Sequence, residues 1–90
     1  MSVVAYHFWS PTCRPCAHIK PAIEQMKEDF PVVRWEAVNT HDDTKGIART
    51  MGVQAVPTVV VYKNGVEIGR HSGTNVIMYY SILRNALRST

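Results

Sequence analysis

Cys13 and Cys16 enclose Arg14 and Pro15 in a Cys-Arg-Pro-Cys stretch. Two thiols at this spacing can act in succession: one attacks a disulfide, and the other displaces the mixed disulfide that results. The apolar run of residues 3–9 precedes the pair, and an amphipathic stretch follows at once. A strand thus delivers the cysteines to the start of a helix, where unpaired N–H groups and the helix dipole favour a thiolate. Such a pair between a strand and a helix reads as a dithiol redox motif. Two other uses stay open. A structural bridge would gain little from closing so short a loop. Zinc would draw on Cys13, Cys16 and His18, but four ligands are usual and no second pair has suitable spacing, so no metal site is expected.

The elements that must hold the pair follow from the pattern around it. Residues 3–9 are apolar apart from His7, as in a central strand buried on both faces. A loop over residues 10–12 ends on Thr12, a candidate N-cap for a helix from about residue 13 to 29. Ile19, Ala22, Ile23, Met26 and Phe30 give that helix its apolar face. Pro21 inside it predicts a kink, and Pro31 ends it. Residues 32–38 form a second strand, parallel to the first through a right-handed crossover. Asp42 or Asp43 caps a short helix over residues 44–51, which Gly52 stops. Residues 58–62 form a third strand, and Asn64-Gly65 turns the chain into an antiparallel edge strand over residues 66–71. Val76, Tyr79, Tyr80, Leu83, Ala86 and Leu87 mark the buried stripe of a last helix.

Ninety residues, 46% of them hydrophobic and 19% charged, suit one domain over residues 1–90 with a single core. The net charge of +3 comes without a dense Lys/Arg cluster, so nucleic acid is not an expected partner. No apolar run reaches the ~18 residues of a membrane span. Met1-Ser2 leads straight into the first strand, with no basic segment or cleavage site before it. Two cysteines do not make a disulfide scaffold, so a reducing, cytoplasmic location is expected.

The segment from Trp9 to Cys16 resembles the active-site segment of thioredoxins, W-x-x-W-C-G-P-C. Further matches follow in the same order. Pro21 stands where the family's helix is kinked, Val56-Pro57-Thr58 resembles its cis-proline loop, Lys63-Asn64-Gly65 its last hairpin, and Gly73 the glycine before its final helix. The resemblance spans nearly the whole chain. It implies an α/β, minimal thioredoxin-like fold: a four-stranded mixed sheet of order 2-1-3-4 flanked by three helices. The family's extra N-terminal strand and helix would be missing, as in short phage-borne members.

The resemblance also implies a thiol–disulfide oxidoreductase that reduces protein disulfides. Cys13, at the helix N-terminus, would be the nucleophile and Cys16 the resolving thiol. No cofactor would be needed in the chain; electrons would come from a thioredoxin-type reductase or a thiol pool, and a monomer is expected. Trp9, Thr12, Val56, Pro57 and Gly73 would line the substrate groove, with Pro57 cis. Two alternative roles are an interaction subunit without redox turnover and a glutathione-dependent reductase. The latter is weaker, because the stretch near Gly73 lacks the glycine-plus-acid pattern of glutaredoxins.

Four positions depart from the family pattern. Thr12 replaces the tryptophan before the first cysteine, and Arg14 replaces the glycine after it. Arg14 would favour the Cys13 thiolate and so make the disulfide more oxidising. His7 stands where the family has a buried aspartate behind the resolving cysteine, and Glu36 where it has a lysine nearby. His7 is then a candidate proton acceptor for Cys16, with Glu36 fixing its tautomer. The plainer alternative is a core histidine, with Glu36 facing solvent.

Overall fold

A computed structural model of the protein describes residues 2–88. The elements are β1 (Val3–Trp9), α1 (Arg14–Asp29), β2 (Arg34–Asn39), a 3-10 turn (Thr40–Asp42), α2 (Ile47–Thr50), β3 (Thr58–Lys63), β4 (Val66–Ser72) and α3 (Val76–Ala86). The sheet order is β2-β1-β3-β4, as the sequence leads one to expect. β2 runs parallel to β1, while β3 is antiparallel to both β1 and β4. β2 therefore lies at one edge and β4 at the other.

β1 is apolar apart from His7 because both its faces are covered. Val3 and Ala5 pack with Ile19, Ile23 and Met26 of α1 and with Tyr79, Leu83 and Ala86 of α3. Phe8 packs on the other face with Val38, Ala48 and Val60. At β4 the covering helix comes close: a Cβ on Gly69 would lie 2.9 Å from Ile82 Cγ2, so glycine is what lets α3 approach there.

The register gathers three loops at one end of the sheet. Phe8 pairs with Thr58, and Thr58 with Ser72. The loop after β1, the loop before β3 and the loop after β4 are therefore neighbours. At the opposite end, Asn64 and Gly65 take positive φ values of 52° and 82° in the β3–β4 turn, the geometry Asn-Gly favours. Asn64 ties down the start of β1: Ser2 N–H donates to its Oδ1 at 2.9 Å, and its own N–H donates to the Ser2 carbonyl at 2.7 Å. Lys63 Nζ donates to the Arg88 carbonyl at 3.2 Å, so residue 88 ends beside the same turn.

Two boundaries differ from the sequence reading. β2 begins at Arg34 rather than residue 32: Val33 N–H donates back to the Phe30 carbonyl at 3.0 Å, which leaves Val32 72% exposed in the turn. The short helix is one turn long, preceded by the 3-10 turn. Asp43, not Asp42, caps it, and it does so from outside. Its two carboxylate oxygens accept from the N–H groups of Ile47 (2.9 Å) and Ala48 (2.8 Å) across Gly46, whose φ is +66°. Gly52, at φ +69°, follows the helix as expected.

Candidate active site

The first turn of α1 is organised by Cys13 itself. Cys13 has extended backbone angles (φ −90°, ψ 106°), stands at the N-cap, and accepts at its Sγ from the Cys16 N–H at 3.1 Å. Thr12 is not the cap. A cap at residue 12 would place Pro15 at the third helical position, where there is no N–H to bond. With Cys13 as cap, Pro15 moves to the second position and Cys16 supplies the donor. Thr12 is exposed instead, its hydroxyl 3.3 Å from that of Ser10.

Cys13 and Cys16 are joined in a disulfide, with their Cα atoms 5.2 Å apart. Cys13 is partly exposed, whereas Cys16 is only 6% exposed. Arg14 and Pro15 between them face solvent. Cys13 is therefore the more accessible of the two.

A hollow of about 360 Å³ runs beside the disulfide, lined by Trp9, Cys13, Cys16, Lys20, Glu24 and Lys27, with His7 and Ala37 on its sheet side. His7 is buried, and among the described residues its Nε2 has no hydrogen-bond partner. Burial pushes its pKa down from 6.5 to about 4; Lys27 adds to the shift and Glu24 opposes it. The imidazole is therefore neutral at physiological pH, and burial opposes its protonation.

Glu36 does not join it. The register pairs His7 with Ala37 and Tyr6 with Glu36, and successive strand residues face opposite sides. Glu36 thus lies on the Tyr6 side of the sheet and accepts from Arg34 Nε at 3.0 Å. The carboxylate on His7's side is Glu24, which accepts from Lys27 Nζ at 3.0 Å. The sequence did carry this signal: residues 13, 16, 20, 24 and 27 recur at helical spacing and share one face.

The other two loops meet above β3. The Val56–Pro57 peptide is cis. Pro57 is buried, and its carbonyl accepts from the Gly73 N–H at 2.9 Å. Gly73 has φ +110°, a conformation that favours glycine. Val56 is half-buried and lines a second hollow of about 580 Å³, with Thr40, Asp43 and Arg49 among its walls. Trp9 borders the first hollow and Val56 the second.

A disulfide at a helix N-terminus, fed by the central strand of a mixed four-stranded sheet and neighboured by a cis-proline loop, defines the class of thioredoxin-like α/β folds. The chain belongs to the thioredoxin family: the family model for Thioredoxin matches residues 2–80. It is 40% identical over 65 residues to the chloroplastic M-type thioredoxin of Triticum aestivum, covering 71% of this chain and 37% of that one. It is 35% identical over 81 residues to the mitochondrial thioredoxin-2 of Schizosaccharomyces pombe, covering 90% and 60%. The chain thus spans less than two thirds of the length of these relatives. Among solved structures, the thioredoxin of Fasciola hepatica superposes with a TM-score of 0.87 at 28% identity, covering 94% of this chain and 81% of that one.

Proposed function

We propose that the protein is a thiol–disulfide oxidoreductase that reduces disulfides in other proteins. One observation carries this: the Cys13–Cys16 disulfide closes at the N-terminus of α1 with its outer sulfur accessible and its inner one covered. In the reduced protein, the Cys13 thiolate attacks one sulfur of a substrate disulfide. That S–S bond breaks, a mixed disulfide forms, and the second substrate sulfur leaves as a thiolate that takes up a proton. Cys16 then loses its proton and attacks the Cys13 sulfur, releasing the first substrate sulfur as a thiolate that is protonated in turn. Two electrons and two protons pass to the substrate, and the internal disulfide returns.

His7 accepts the Cys16 proton in this scheme. Its support is its place with Cys16 on the wall of one hollow and its Nε2 without a partner among the described residues; the burial that lowers its pKa makes it a weaker base. Arg14 and Pro15 shape the outer edge; the Arg14 charge favours the Cys13 thiolate. Trp9, Thr12, Val56, Pro57 and Gly73 form the surface that meets the substrate. The electron donor is a thioredoxin-type reductase or a thiol pool, and the protein works as a monomer. Among the described residues no helix is long and apolar enough to cross a membrane. The relatives' names place them in chloroplasts and mitochondria; a cytoplasmic site for this chain rests on its sequence alone.

The test is insulin reduction driven by dithiothreitol. The wild type should accelerate it, Cys13→Ser should not, and Cys16→Ser should stall as a mixed disulfide at Cys13 visible by mass spectrometry. A wild type that does not exceed the dithiothreitol background would refute the reading.

A further inference from the structure

Tyr79 is 1% exposed, and its ring packs among the core residues of β1, α1 and α3. A phenylalanine or leucine would serve that purpose. The hydroxyl does something else: it leaves the core and donates to the carbonyl of Gly73. It also lies 3.5 Å from the carbonyl of Pro57, too far for a good bond. Pro57's carbonyl is in turn held by the Gly73 N–H at 2.9 Å. On the upstream side, the Thr58 hydroxyl donates to the Ala55 carbonyl at 2.6 Å and accepts from the Ser72 hydroxyl at 2.6 Å.

The loop is thus pinned at Ala55 and again at Pro57, with Val56 between. Val56 enters none of the loop and turn hydrogen bonds found among the described residues. It stands in the bend two residues before β3, at the end of the sheet that carries the disulfide. A half-exposed backbone edge with its neighbours fixed is a ready template for an extended segment of another chain.

We infer that Tyr79 is a positioning residue for peptide substrates: its hydroxyl holds Gly73, and through Gly73 the Pro57 carbonyl, so that the Val56 backbone edge is presented to the segment flanking a substrate disulfide. The inference rests on the oxidoreductase reading and its substrate surface, and adds the residue that holds that surface in place. Burial pushes the Tyr79 pKa up to about 12, so the hydroxyl keeps the proton it donates. The glycine it restrains is the residue type with most backbone freedom, so a single bond has large effect on this loop.

The experiment is Tyr79→Phe, which removes one oxygen and keeps the ring. The prereduced variant and wild type are mixed with insulin and, separately, with cystamine, a disulfide that has no peptide backbone. The expected result is a fall of about tenfold in the rate with insulin, the scale of one lost hydrogen bond, and an unchanged rate with cystamine. An unchanged insulin rate overturns the proposal, and so does a parallel fall with both disulfides, which signals a general loosening of the fold. Either result leaves the oxidoreductase reading standing, because the wild type still reduces both. A wild type that reduces neither removes that reading, and the role of Tyr79 with it.

Discussion

The backbone N–H of Cys16 points at the sulfur of Cys13 from 3.1 Å, so the first turn of α1 is capped by the atom that is to react. On reduction the same N–H and the helix dipole remain aimed at Cys13. Iodoacetamide labelling of the reduced protein should therefore find Cys13 reactive below the ~8.5 at which a free cysteine titrates, with Cys16 slower because it is buried. Faster labelling of Cys16 at neutral pH would reverse the two roles.

His7 couples the hollow to stability. Its ring is held neutral down to about pH 4, whereas in the unfolded chain it takes a proton near its ordinary value of 6.5. The unfolded state therefore binds more protons in that window. Stability present above pH 6.5 is lost as the pH falls towards 4, by on the order of 3 kcal/mol in total. Urea titrations between these pH values should show the loss, and His7→Leu should flatten it. In the reaction, His7→Ala should slow release from the mixed disulfide and leave the first attack by Cys13 nearly unchanged. Glu36→Gln should change neither step, since its carboxylate lies across the sheet.

Arg14 is exposed beside Cys13, and the proposed effect of its charge is to favour the thiolate and hence the reduced form. Equilibration with glutathione should place the disulfide above the ~−270 mV of thioredoxin and well below the ~−120 mV of DsbA. Arg14→Gly should move it in the negative direction, with a smaller shift at high salt because the charge is solvated. A potential indifferent to this substitution would show the charge to be screened.

Much of this was legible in the residues, and the exceptions have physical reasons. The β1–β2 pair and the β3–β4 hairpin followed from the apolar β1 run, the crossover helix and Asn64-Gly65, each a strong local signal, and the full sheet order from the resemblance to thioredoxins. The cysteine pair declared itself by spacing. Thr12 drew the N-cap assignment because threonine caps well, but Pro15 removed the donor it needed, and a cysteine took the place. Val32 looked like strand, yet the Phe30–Val33 turn claimed it. The face of His7 relative to Glu36 depends on register, which no single strand fixes. Tyr79 read as one more residue in an apolar stripe, and only the fold shows where its hydroxyl goes.

β2 has a neighbour on one side only, and its edge carries an exposed Arg34–Glu36 ion pair at 3.0 Å. Charges on an edge strand discourage pairing with another sheet. Sedimentation of the wild type should show a monomer across a wide concentration range. Replacing both residues with threonine should produce concentration-dependent association; an unchanged monomer would mean the edge is protected by other means.

Gly69 sits under α3 where any side chain meets Ile82, a stiff, β-branched neighbour. Gly69→Ala should destabilise the protein by about 1–3 kcal/mol, the usual cost of overpacking. Trimming the neighbour with Ile82→Val in the same chain should not recover the loss, because valine keeps both γ carbons. Ile82→Ala should recover part of it. Thermal unfolding of the three variants checks the series.

Residues 2 and 88 are both fastened to the 63–66 turn, at the end of the sheet remote from Cys13. A dye, an electrode tether or a second domain grafted at either position would therefore stand behind the molecule and leave the disulfide facing outward. Two such grafts would also lie side by side. The fold is in this sense a plug with its wiring at one end and its contact at the other, suited to immobilisation without blocking electron transfer.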